Sequence, residues 1–344
     1  MKKNILSITL LSLFTLLSAE TLHIKIPTVP EVPKVTVKVP EAIVLDVEKN
    51  SAYKTNEEIL EEATREKVIH FSNHVAPKSQ IIKDDPEKIV LVGEVKDGRV
   101  CAYLHAPLLP LSDIEKILQK AGFDVLQTFK IDKKGTVSSL IFTNADILKL
   151  AAHKDRGFIS TLRITIDTKD KLISITNPVY IMSAFLQDAY DEKIALKTLA
   201  SLRSAFGNLS NSDEKFKFTM LPHYQFMQGM PKYQDMQTIS KLSSEKLLAN
   251  ARKSKKIVYE QKLSNGATLI GVKLSKRTSK FIKKIGYQNA GLLPYPVLIE
   301  EGEAKILDPK YYIAVMYPTL KMSQFMTIAT VPGAINKDID RIFR

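Results

Sequence analysis

Three tight turns ending in glycine constrain this chain more than any other feature. Lys96-Asp97-Gly98, Ser264-Asn265-Gly266 and Glu300-Glu301-Gly302 each separate two runs rich in Val, Ile and Leu. Glycine supplies the positive φ that the twist of paired strands demands, so each turn reads as the tip of a β-hairpin. The paired runs are 89–95 with 100–105, 257–263 with 268–274, and 297–299 with 304–307. Further strands are expected at 124–131, 137–142, 158–166 and 172–175. Between them lie short helical patterns. Leu111 opens one that Gly122 stops, 145–152 carries another, and 191–206, 236–253 and 276–285 carry three more, the last closed by Gly286. Antiparallel strands interleaved with short helices predict an α+β fold made of two related sheet-and-helix units with a helical connection.

The chain holds a single cysteine, Cys101. Disulfides within one chain, Cys-Cys metal sites and c-type haem attachment are therefore excluded. Stability must come from an apolar core, which 344 residues are enough to build. Cys101 falls in an expected strand, where a buried, inert thiol is the default.

The N-terminus reads as an address. Lys2 and Lys3 precede a short apolar run over 5–17 and then Ser18-Ala19, the layout of a secretory signal peptide. The run is shorter than the ~20 residues a bilayer requires, and no cysteine follows it to carry a lipid. A periplasmic protein is expected; the alternative is an inner-membrane anchor formed by an uncleaved signal. Pro27, Pro30, Pro33 and Pro40 alternate with Val and Lys over 20–50, which favours an extended stalk. Thr55-Asn56-Glu57-Glu58 reads as a capping box that opens a helical segment over 51–82. A first α+β unit is assigned to 83–190, a helical, Met-rich connection to 191–255, and a second α+β unit to 256–344.

Two echoes support duplication. Residues 116–123 (KILQKAGF) parallel 280–287 (KFIKKIGY). Residues 175–180 (ITNPVY) parallel 306–311 (ILDPKY), at the offset that also relates Gly135 to Gly266. The two echoes require different offsets. A helix ending in Gly122-Phe123, then Ile141-Phe142-Thr143-Asn144 and Asn177-Pro178, resembles the small bacterial family called domain of unknown function 302. The second unit, with Gly291-Leu292-Leu293-Pro294-Tyr295 and Asp308-Pro309, is similar. The chain departs from that family where a Cys is expected after Leu-Pro: Tyr295 stands there, and Ser160-Thr161 in the first unit. The resemblance implies a fold and no activity.

Three groups of residues are candidates for chemistry. Met220, His223, Met227, Met230 and Met236 interleave with Tyr224, Phe226 and Tyr233 around Pro222, Gly229 and Pro231. Such a segment packs a core, offers an adaptable apolar ligand surface, or ligates Cu(I) through thioether sulfur. Lys273, Lys276, Arg277, Lys280, Lys283 and Lys284 form the densest basic cluster, with Leu274, Phe281, Ile282 and Ile285 as its apolar stripe. That pattern suits an anionic surface or an ordinary surface helix. Glu66, His70 and His74 are spaced by four on one expected helix face, a spacing that can chelate a metal.

The formal charge is +13. Outside the cytoplasm, that charge favours anionic lipid, envelope polymer or small anions as partners over nucleic acid. Phosphate-cradling glycine loops, dinucleotide fingerprints, zinc-protease signatures and Gly-x-Ser-x-Gly elbows are absent, and no cofactor is implied. The expected role is a binding or interaction module for an apolar or anionic ligand, or for an envelope partner. Periplasmic copper handling is the first alternative and an unrecognised hydrolase the second.

Overall fold

The computed structural model describes residues 91–344. The expected signal peptide, stalk and first helical segment, with Glu66, His70 and His74, lie outside the described residues.

Within 91–344 the chain is α+β. The first unit runs β2 (Tyr103–Pro107), α1 (Leu111–Lys120), β3 (Asp124–Lys130), β4 (Val137–Thr143), α2 (Ala145–Ala151), β5 (Leu162–Asp167), β6 (Leu172–Thr176) and α3 (Pro178–Leu186). The second runs β9 (Gln237–Lys241), α5 (Ser244–Lys253), β10 (Ile257–Lys262), β11 (Thr268–Val272), α6 (Ile282–Ile285), β12 (Tyr295–Glu300), β13 (Glu303–Ile306) and α7 (Pro309–Val315). With β7 at Ser210–Asn211, strand orders are β3-β4-β5-β6-β2-β7 and β10-β11-β12-β13-β9, with every pairing antiparallel. Apart from β7, which has no counterpart in the second sheet, the two sheets share one topology element for element. β1 (Arg99–Cys101) precedes the first unit and pairs with β8 (Lys215–Lys217); α4 (Glu192–Phe206), the short β7 and β8 connect the two units along the chain, and α8 (Met322–Thr327) and α9 (Val331–Phe343) close it.

This register selects between the two echoes. Asn177 and Asp308 are equivalent N-caps, accepting from Val179 N at 3.0 Å and Lys310 N at 2.8 Å. Gly135 and Gly266 both occupy hairpin turns at positive φ. The other echo is misaligned, because the counterpart of α1 is α5 and not the helix before Gly286. The second unit accordingly begins at β9, ahead of the expected boundary at 256. The first expected hairpin also changes: Lys96 bridges Arg99 around its turn, but β1 pairs β8 and β2 pairs β6.

Each sheet has two unlike faces, because alternate residues point to opposite sides. On the outer face of the first sheet, Leu140, Ile164, Ile175 and Leu104 form one fully buried transverse row. Helices close over it: a Cβ built on Gly93 would meet both Leu104 and Leu199 of α4, and Phe123 after α1 stands edge-on to Phe142 at 5.2 Å. The inner face is polar, carrying Ser139, Thr165, Ser174 and His105 in the neighbouring row.

The units exchange arms across these inner faces. Residues Tyr287–Leu292 lie over β4, β5 and β6, and Gly291 there leaves no more than 3.3 Å between an added Cβ and Tyr103. Reciprocally, Gly157–Ser160 lie on β11 and β12, where a Cβ on Gly157 would collide with Leu298. Tyrosines lock the exchange. Tyr103, Tyr180 and Tyr224 donate to Met316 O (2.6 Å), Val315 O (2.7 Å) and Ala314 O (2.9 Å), carbonyls at the end of α7, of which Ala314 O also accepts from Tyr317 N.

Candidate functional site

β3 and β10 are edge strands of their sheets and lie beside one another. A groove of about 320 Å³ runs between them, carrying Lys130, Lys255, Lys256 and Lys273 over a floor that includes Phe129 and Thr128. The local reasons are plain in the chain. Lys255 takes a left-handed conformation (φ 55°) that turns the backbone from α5 into β10. Lys273 N donates to Lys256 O at 2.9 Å, which fixes the end of β11 against the start of β10. Lys273 Nζ stands 5.9 Å from the centre of the Phe129 ring, so this cation is tied to β3 across the groove.

All four lysines are exposed, and among the described residues none of them pairs with a carboxylate. Their neighbour Arg252 is different: it grips Glu260 with two bonds of 2.9 and 2.6 Å, so its charge is neutralised locally. Four ammonium groups around one concave surface concentrate positive potential and attract anions, most strongly at low ionic strength. Lysine heads are point charges on flexible stems, suited to phosphate without strict geometry.

The predicted basic cluster is reached in part. Lys273 belongs to the groove; Lys276, Arg277, Lys280, Lys283 and Lys284 are all exposed on the segment that follows. Lys284 Nζ donates to Thr327 O at 2.7 Å. The expected helix over 276–285 is only a 3-10 turn, Thr278–Phe281, followed by α6. Its apolar stripe of Leu274, Phe281, Ile282 and Ile285 is buried in the core. No apolar face remains there to enter a bilayer, so any attraction to an anionic surface is purely electrostatic.

The Met/aromatic segment is divided. Tyr224 is a helix cap, as described above. Tyr233 donates to Asp155 O at 2.6 Å, and its ring lies under the Arg156 guanidinium and against Phe185, Phe158 and Tyr311. Burial pushes the Tyr224 and Tyr233 hydroxyls well above the ordinary tyrosine range. Both are structural. Met230 and Met236 pack against the core, Met220 is half-buried and His223 is exposed. Phe226 meets Phe325 of α8 at 5.3 Å, and beside that contact Met227 is 49% and Met326 62% exposed. Among the described residues no group of three or more His, Cys, Asp or Glu side chains is arranged to hold a metal ion.

One buried ionic cluster escaped the sequence reading. Lys305 on β13 is held by Asp155 at 2.7 Å and Glu300 at 3.4 Å, beneath the arm of the first unit. Burial raises the Glu300 carboxyl, although the amide of Asp155 and the charge of Lys305 oppose the shift. Asp155 is subject to burial as well, but its bond to Lys305 holds it below the usual carboxylate range. The cluster stitches the arm to the second sheet. Its members are scattered between 155 and 305, and nothing local in the sequence joins them. Cys101 is buried, as expected, and burial raises its thiol.

No protein-family model, no curated protein and no solved structure matches the chain.

Proposed function

We propose that this is an exported binding module whose ligand is a phosphate-bearing anion of the cell envelope, held in the lysine groove between β3 and β10. One observation carries the reading: four exposed lysines, without carboxylate partners among the described residues, line one concave surface where the two units adjoin. The reading of the chain as two degenerate copies related to the domain of unknown function 302 is compatible with the repeated topology. No helix among the described residues is long and apolar enough to cross a membrane, so attachment to an envelope would rest on such contacts or on the N-terminal segment.

The test is co-sedimentation with vesicles of phosphatidylglycerol and phosphatidylcholine, alongside titration with soluble polyphosphate. Binding to both anionic probes, weakened by salt and abolished in Lys130→Glu/Lys255→Glu/Lys256→Glu/Lys273→Glu, is expected. Polyphosphate binding without vesicle binding assigns the ligand to a polymer and not to a lipid. Equal binding by the wild type and the variant contradicts the proposal.

A second reading rests on the exposed Met227 and Met326 beside the Phe226–Phe325 contact. Methionine-rich exposed surfaces accommodate apolar partners, and this one is where an envelope protein would dock.

A further inference from the structure

The turn before β1 and the ribbon that β1 forms with β8 line a second cleft, of about 230 Å³. It shares no residue with the lysine groove. Local geometry builds it. Lys96 and Arg99 exchange backbone bonds of 2.8 and 2.9 Å around Asp97-Gly98, both at positive φ, so the chain doubles back into β1. Alternate strand residues point to opposite sides. Val100 is buried, and its partner Phe216 packs edge-on against Tyr224 at 4.9 Å. Arg99, Cys101 and Lys215, the direct partner of Cys101, therefore face the other way, into the cleft. Cys101 forms the floor. Its thiol donates to Asn211 Oδ1 at 3.2 Å, and Gly93 N donates to the same oxygen at 2.7 Å. These bonds tie the floor to β7 and to the segment that leads into the turn.

The rim carries an unbalanced charge. Lys96, Arg99 and Lys215 are exposed, and among the described residues none of them pairs with a carboxylate. Of the two acids that line the cleft, Glu94 is held by Arg203 at 2.9 Å, which neutralises it. Asp97 alone stays uncommitted, so three cations face one free carboxylate. Arg99 and Lys215 are diagonal neighbours in the ribbon, because Arg99 lies opposite Lys217 and Cys101 opposite Lys215. Diagonal positions are about 7–8 Å apart. Two cations at that spacing fit two anionic groups on a short link better than one compact ion. The guanidinium fork matches a carboxylate with two parallel bonds. The volume lies below the range of about 300–1,000 Å³ that holds drug-sized ligands. Asp97 repels any further negative charge, which discriminates against a polyanion.

We propose that this cleft binds a small dicarboxylate, with Arg99 on one carboxylate and Lys215, aided by Lys96, on the other. The site is independent of the lysine groove and stands even if the groove binds nothing. The alternative is an ordinary solvated surface on which water and Asp97 satisfy the cations.

The test is equilibrium dialysis of the protein against radiolabelled succinate at low ionic strength, with unlabelled propionate as competitor. One succinate is expected per chain. Propionate should displace it only at concentrations at least about tenfold higher, since a monocarboxylate forgoes one charge-assisted pair. Arg99→Gln and Lys215→Gln, both at exposed positions, should each weaken binding about tenfold. Each variant should melt as the wild type does, which separates lost binding from lost fold. The variant Lys130→Glu/Lys255→Glu/Lys256→Glu/Lys273→Glu should still bind succinate. Three results would each overturn the proposal: no succinate retained, displacement by propionate as readily as by succinate, or unchanged affinity in Arg99→Gln. Binding that is lost in the groove variant and kept in Arg99→Gln would place the anion in the groove instead.

Discussion

Single residues decide whether the two units stay joined. Lys305 is the cation that holds Asp155 and Glu300 under the first unit's arm. Replacing it with Met strands the buried Glu300 carboxylate and the half-buried Asp155, so we expect a loss of about 2–4 kcal/mol in urea unfolding. Lys305→Arg, which keeps the charge, should lose markedly less. If Lys305→Met costs under about 1 kcal/mol, the cluster is solvated and not structural. His105 gives a pH-dependent counterpart. Burial lowers its pKa from 6.5, against the opposing charges of Glu214 and Asp213. The folded state therefore prefers the neutral ring, and the unfolded chain takes up a proton first as pH falls. Stability from this residue is fully present above pH 6.5 and is lost progressively below it. Melting curves between pH 8 and pH 5 should show the decline, and His105→Gln should flatten it; an identical decline in that variant would place its origin elsewhere.

At the level of elements, legibility followed amphipathic contrast. The helix α1 and the hairpin β10–β11 were readable because one side is apolar and the other polar, or because a glycine turn joins the runs. By contrast, α3 was missed. Every one of its residues is buried, so it has no polar face and no 3.6-residue period to detect. The clue was at its start, Asn177-Pro178, a cap followed by a proline at the first helical position. The same signature at Asp308-Pro309 opens α7, also missed and buried at every residue but Lys310. Asn177 does more than cap: its Nδ2 donates to Gly93 O at 2.9 Å and Cys101 O at 2.8 Å. Asn177→Asp should preserve the cap yet destabilise by about 1–3 kcal/mol, since an acceptor then faces two buried carbonyls. Asp308→Asn should cost much less. Equal costs in chemical denaturation would show that the cap alone matters at both positions.

At the scale of the whole molecule, the candidate site exists only because two sheets adjoin. Lys130 lies far from Lys255, Lys256 and Lys273 in sequence, so no window of the chain shows the groove. Only one of its lysines was visible: Lys273, as the first member of a basic run. The outer members of that run were legible as charge, but their apolar partners turned out to be core. The Met/aromatic segment was legible as unusual, and tertiary packing decided the rest by making Tyr224 and Tyr233 pillars of the arm exchange. The exchange also sets an expectation for stability: Gly157→Ala drives a methyl into Leu298 and should cost about 1–3 kcal/mol by overpacking. A neutral effect on unfolding would mean that the arm can lift from the second sheet.

The groove itself is tested most directly by lysine footprinting. The intact protein is amidinated with and without polyphosphate, and each modified lysine is quantified by mass spectrometry. Lys130, Lys255, Lys256 and Lys273 should be protected together, with exposed lysines on other surfaces, such as Lys116, Lys193 and Lys310, unchanged. Protection spread evenly over all exposed lysines, or absent from those four, would contradict the account.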